Sequence, residues 1–277
     1  MSDSQTPDAP APSAPPGDAN IVPTGENDSA IPPFRLPEIV FPHAQWPLPY
    51  AIGPVLFMLL GQVCVFGVLT SLRSDEWMEA HKALTLTIYT LSQLIGIAAG
   101  LFWLVLWKKR AAHFLALDKF PAPRKSFFYA AMFLITFPAA MALGEAMKLA
   151  YRRFGLEVDM QDSIRTLLTI KFGGGLIWLV FLCAVIVPAM EEIIFRGFFY
   201  APLANGMGRF PAALIVSAVF AVLHGELGAI APIFVLSLLL CFYYSHSGSL
   251  WLSIIGHSMF NAVNIVLLLI FRDRMAI

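Results

Sequence analysis

Hydrophobic residues run along this chain in long blocks, and polar residues gather in the gaps between them. A helix needs roughly 20 apolar residues to cross the hydrocarbon core of a bilayer. The blocks predict spans over residues 52–72, 83–107, 127–151, 176–203, 210–224, 230–244 and 250–271. Arg73, Asp75, Glu76 and Glu79 close the first, and Lys108-Lys109-Arg110 stops the second. Glu145 and Lys148 fall near the end of the third, where their i, i+3 spacing lets them pair or lie at the interface. Between the third and fourth blocks, residues 159–171 read as a short amphipathic helix lying on the membrane surface. Gly173-Gly174-Gly175 then breaks the chain. The expected fold is all-α, a polytopic membrane helical bundle of about seven spans (6–8). No internal repeat is visible.

Residues 1–47 carry no such block. Pro, Ser, Ala and Asp dominate there and Arg35 is the only basic residue. Such a segment buries too little apolar surface to offset its ordering entropy, so it reads as a disordered, mildly acidic tail. It lacks a basic start and an apolar signal region, which leaves the first span to act as its own insertion signal. The expected organisation is a tail over 1–47, N-terminal transmembrane helices over 48–172 and a core bearing the chemistry over 173–277.

Composition sharpens the class. Of 277 residues, 58% are hydrophobic and only 13% charged, where soluble domains carry about a quarter charged. The formal net charge is zero, so nothing points to nucleic acid as a partner. Cys64, Cys183 and Cys241 lie inside spans and read as small packing residues rather than a disulfide framework. The densest basic cluster is Lys108, Lys109, Arg110, Lys119, Arg124 and Lys125. The positive-inside rule then puts that loop and the N-terminus in the cytoplasm, across a cell inner or plasma membrane. Arg272 and Arg274 fall outside on this reading.

Three polar insertions interrupt the last apolar blocks. The stretch VIVPAMEEIIFRGFFY holds Glu191, Glu192 and Arg196; Phe220 precedes His224 by one turn; His257 precedes Asn261 by one turn. Ionisable residues at membrane depth are costly and face a partner or a watery cavity. Counting along the helices, Glu191 lies about 18 Å, His224 about 20 Å, His257 about 10 Å and Asn261 about 16 Å from one membrane face. Glu192 and Arg196 share a helical stripe in the favourable acid-first order, and Glu191 points about 100° away from it, toward a cavity. Pro188 removes a backbone donor, which should free the carbonyl of Ala184 and kink the helix. Ser253 and Asn264 extend the polar stripe of His257 and Asn261 and read as a helix–helix seam.

A carboxylate with two histidines can activate water as general base and acid. Glu191, His224 and His257 could equally ligate a divalent metal such as zinc, although the compact HExxH signature is absent. The ordered set Glu191-Glu192-x-x-x-Arg196, Phe220-x-x-x-His224 and His257-x-x-x-Asn261 resembles the motifs of the CPBP intramembrane protease family. That family includes type II CAAX prenyl endopeptidases, often called metalloproteases, and bacteriocin self-immunity (Abi) proteins. The resemblance implies an endopeptidase acting on a membrane-associated, CAAX-type peptide or protein within the lipid bilayer. It implies that Glu191 and His224 activate a water, that His257 and Asn261 stabilise the oxyanion, and that Glu192 and Arg196 support them. Two other classes stay open from the residues alone. One is a non-catalytic scaffold or immunity protein. The other is a proton-coupled transporter, for which repeat symmetry would be expected.

Overall fold

The computed structural model describes residue 41 and residues 48–108, 115–120, 123–156, 162–170 and 173–272. The expected disordered tail falls on residues 1–40 and 42–47, which lie outside the described residues.

Among the described residues there are nine helices, α1 (Leu48–Leu72), α2 (Asp75–Ala80), α3 (Lys82–Lys108), α4 (Pro123–Arg153), α5 (Asp162–Thr169), α6 (Gly174–Met207), α7 (Arg209–Leu223), α8 (Ile230–Ser247) and α9 (Leu250–Ile270), and no strand. The long helices follow the apolar blocks, because a backbone in lipid must satisfy its hydrogen bonds within its own segment. Five stretches are long and apolar enough to cross a membrane: Lys82–Ala99, Ser126–Arg153, Gly174–Met207, Leu227–Ser247 and Leu250–Ile270. Leu60–Leu72 and Arg209–Leu223 are shorter apolar helices. The chain is an integral membrane protein built as a helical bundle. Short α2 was not expected; Ser74 caps it by accepting from the Trp77 N–H through its side chain.

Much of the described helix surface is apolar, and a group of polar side chains is buried. Phe127, Leu134, Ile135 and Ile177 are exposed, whereas Glu192, Arg196, Ser217, Ser237, Ser253 and His257 are buried. That inversion suits a lipid surround. Glu145 and Lys148 do pair, at 2.8 Å, on an exposed face, where such a pair contributes little. The three cysteines are free.

The packing is a hairpin set beside a compact core. α1 lies along α3, and α3 reaches α6, where Trp178 Nε1 donates to Thr87 Oγ1 at 2.9 Å. The core joins α6, α7, α8 and α9, with α4 against α8 and α9. Close approach between α8 and α9 depends on Gly256, where a Cβ would lie 2.9 Å from the Tyr243 ring. Small residues serve that purpose in membrane helix pairs.

Two segments from the N-terminal half cap one end of this core. Leu115 and Ala116 are buried there with Phe41, Tyr200, Tyr244 and Leu250. Leu115 Cδ2 sits 2.6 Å from where Gly197 would carry a Cβ. The carbonyls of Ala116 and Leu117 accept from the Leu250 N–H at 3.3 Å and from Trp251 Nε1 at 2.8 Å, and that of Lys119 accepts from the Ser249 hydroxyl. Ala116 holds a left-handed backbone, φ 54°, which costs an alanine about 1–2 kcal/mol and is offset by this docking.

Candidate active site

α6 changes its winding twice on the way to the site. Leu182–Ile186 and Ile193–Tyr200 are π-helical, and Val187–Glu192 between them is α-helical. Such widened turns recur at functional sites. In the first, the Val187 N–H donates to the Leu182 carbonyl, five residues back. The next residue in that register is Pro188, which has no N–H to offer Cys183. Asn261 Nδ2 supplies the donor instead, bonding the Cys183 carbonyl at 2.9 Å. The sequence reading assumed α-helical register and so expected the freed carbonyl at Ala184. The π turn moves it by one residue and gives it a partner from α9.

The same winding delivers two adjacent carboxylates to different environments. Glu192 and Arg196 have fully buried side chains, 0% exposed, and pair at 2.9 Å. Glu192 Oε1 also accepts from His257 Nδ1 at 2.9 Å. Arg196 Nη2 donates to the Ser237 carbonyl at 3.1 Å and hydroxyl at 2.8 Å, and its guanidinium carbon lies 4.9 Å from the Phe220 ring centre. One buried arginine thus joins α6, α7 and α8, and Glu192 adds α9. A buried charge is tolerated only when paired and hydrogen-bonded in this way.

Glu191 is different. Its side chain is 25% exposed, and its Oε2 stands 3.7 Å from His257 Nε2. The His257 ring, 3% exposed, therefore lies between two carboxylates. A carboxylate oxygen accepts, so Nδ1 donates to Glu192 and Nε2 is the atom turned toward Glu191.

His224 caps α7 just past its last turn. Its Nδ1 donates to the Phe220 carbonyl at 2.7 Å, which leaves Nε2 as the ring nitrogen not engaged in that bond. The Phe220 ring centre is 4.6 Å from that of His224 and 5.8 Å from that of His257. Glu191, Glu192, Arg196 and His257 thus form one contact group. His224 adjoins it through Phe220, and Asn261 ties α9 to α6 one turn on. Ser253 forms the expected seam by donating to the Leu240 carbonyl at 3.0 Å. Asn264 does not; its amide bonds its own helix at Phe260.

Among the described residues no three His, Cys, Asp or Glu side chains are grouped to hold a metal ion. Glu191, His224 and His257, the zinc set considered from the sequence, do not fit one in this arrangement, and no step below is routed through a metal. Sequence reasoning missed the bond from Glu192 to His257 and the support from Ser237. The signal for Ser237 was present as a lone hydroxyl inside the apolar run of α8.

Comparison with known proteins falls on the same part of the chain. Residues 173–263 match the family described as Type II CAAX prenyl endopeptidase Rce1-like. A Bacillus subtilis (strain 168) protein described as "Putative membrane peptidase YdiL" is 25% identical over 131 residues. That match covers 47% of this chain and 52% of the relative, so the chain spans about half the length of the curated protein it resembles. No solved structure matches the chain. The match runs from the glycine break before α6 through Asn261 on α9, so the segment similar to the Rce1-like family is the one that carries Glu191, His224, His257 and Asn261.

Proposed function

We propose that the chain is an intramembrane endopeptidase that hydrolyses a peptide bond of a membrane-associated substrate, with CAAX-type proteins as the substrate class to test first. The observation that carries this reading is the pairing of one quarter-exposed glutamate with a histidine held from behind by a buried Glu192–Arg196 pair. In this reading a water binds between Glu191 and His224 Nε2. Glu191 takes its proton, and the hydroxide oxygen bonds to the scissile carbonyl carbon. The carbonyl oxygen becomes an oxyanion, which accepts from His257 Nε2 and from the second amide hydrogen of Asn261. Because Nδ1 already donates to Glu192, donation from Nε2 requires that both ring nitrogens of His257 carry a proton at this step. The C–N bond then breaks and the proton held by Glu191 passes to the leaving amine. The products are a carboxylic acid and an amine, and the proton left on the acid passes to the amine to give a carboxylate and an ammonium. The test is cleavage of a CAAX-type peptide library by the purified chain, read by mass spectrometry beside Glu191→Gln. A library left intact by a correctly folded wild-type chain, in detergent and in liposomes, would remove the proposal.

Asn261 is the residue whose role in this scheme is most easily confused with packing. Asn261→Ala is expected to lower kcat by about 10²–10³-fold with little change in KM, as loss of an oxyanion donor does. Asn264→Ala is expected to change kcat by less than about tenfold, because its bond stays within α9. Pro188→Ala separates the two explanations, since it restores a backbone N–H for the Cys183 carbonyl. On that background Asn261→Ala should still lose kcat but no longer lose melting temperature. Recovery of kcat on the Pro188→Ala background would show that Asn261 works through the π turn, and the oxyanion assignment would fall.

We also infer that the capped end of the core faces the cytoplasm, from the basic residues around the Lys119 loop. In a chain with Cys64, Cys183 and Cys241 replaced by alanine, single cysteines at Lys119 and Met207, both exposed, should react with impermeant maleimide only from the cytoplasmic side. Labelling of either from outside reverses the orientation.

A further inference from the structure

Phe41 lies far from the catalytic stretch in sequence, yet its side chain is only 2% exposed. Its ring stacks on Tyr244 at a centroid distance of 4.8 Å and meets Tyr200 edge-on at 5.7 Å. The backbone is held as closely as the ring. Asn205 Oδ1 accepts from the Phe41 N–H at 2.7 Å, and Asn205 Nδ2 donates to the Phe41 carbonyl at 2.9 Å.

One carboxamide can take both main-chain groups of a residue when they point the same way, as they do in extended backbone. The sequence favours that conformation, because Pro42 follows and a residue before proline is pushed into the extended region. Packing of a stray aromatic would account for the buried ring. It would not require both backbone groups to close a ring with one amide. Reading main chain with hydrogen bonds and a side chain with a pocket is how proteins bind extended peptides.

We propose that Asn205, Tyr200 and Tyr244 form a peptide-binding site for an extended Phe-Pro segment, and that the chain's own N-terminal tail occupies it through Phe41. The site is distinct from the hydrolytic centre. Asn205 lies on α6 about 20 Å beyond Glu192 along the helix axis. Seating there ties the tail to the C-terminal end of the helix that carries both glutamates.

The test uses the full chain in detergent and a fluorescein-labelled peptide of residues 37–45, PEIVFPHAQ, read by anisotropy. In Phe41→Ala the tail no longer fills the pocket. The peptide should bind that chain at least about tenfold more tightly than wild type, where the tethered tail competes at high effective concentration. Adding Asn205→Ala should weaken binding again by about tenfold, through loss of two hydrogen bonds. Equal affinity for the three chains, or no binding to Phe41→Ala, overturns the proposal. If Phe41→Ala does not purify, the thermal shifts of Phe41→Leu, Asn205→Asp and their combination decide it. A combined shift clearly smaller than the sum supports one shared site, and additive shifts overturn it.

Discussion

Glu191→Gln should lower turnover by about 10²–10⁴-fold, the span ordinarily lost with a positioned general base. The substitution keeps the size of the side chain and removes only its capacity to take a proton. The protein should still insert, purify and melt within about 2 °C of wild type, because a partly exposed contact of this kind contributes little stability. Glu192→Gln is the informative neighbour. It weakens the partner of both Arg196 and His257, so it should lower activity and melting temperature together. Turnover measured at saturating substrate, alongside thermal unfolding in the same detergent, separates the two glutamates. Near wild-type turnover in Glu191→Gln would end the assignment of Glu191 as base. Loss of melting temperature equal to that of Glu192→Gln would make it a second structural residue.

Arg196→Met should be the most destabilising substitution in the core. Methionine fills much of the space but leaves the Glu192 carboxylate buried without its cation. Breaking a buried pair from one side costs about 3–5 kcal/mol, which for a chain of this size lowers the melting temperature by about 10 °C. Arg196→Lys should recover only part of the loss. A single ammonium cannot span Glu192 on α6 and both Ser237 acceptors on α8 as the planar guanidinium does. Combining Arg196→Met with Glu192→Gln should recover part of the stability, since the stranded charge is gone, while activity stays low. A melting temperature for Arg196→Met within about 2 °C of wild type would show that the pair is not what holds α6 to α8.

The local content of this fold was legible and the non-local content was not. Apolar blocks placed each long helix to within a few residues, because hydrogen bonding inside lipid is satisfied segment by segment. The i, i+4 pairing of Glu192 with Arg196 was legible for the same reason. The bond from Glu192 to His257 joins residues 65 apart, and no periodicity on either helix announces it. The register error at Pro188 has a physical origin. The α-helical rule of four residues was applied to a stretch that closes its bonds over five, and a proline shows only that a donor is missing. Phe41 sits within a segment whose composition reads as disordered, and composition averages over a single anchored residue.

The pairing within α6 also bears on how this protein enters the membrane. Spans emerge from the ribosome in order, and α6 is made well before α8 and α9. Ser237 lies 41 residues beyond Arg196, and His257 lies 65 beyond Glu192. A guanidinium dependent on those later partners would have to wait in or near lipid as a bare cation, at a cost of about 2.5–3.5 kcal/mol on insertion scales. Glu192, one turn away on the same helix, can neutralise it as soon as that turn has formed. The acid-first spacing lets α6 partition with its arginine already paired and acquire its remaining contacts as the later spans arrive.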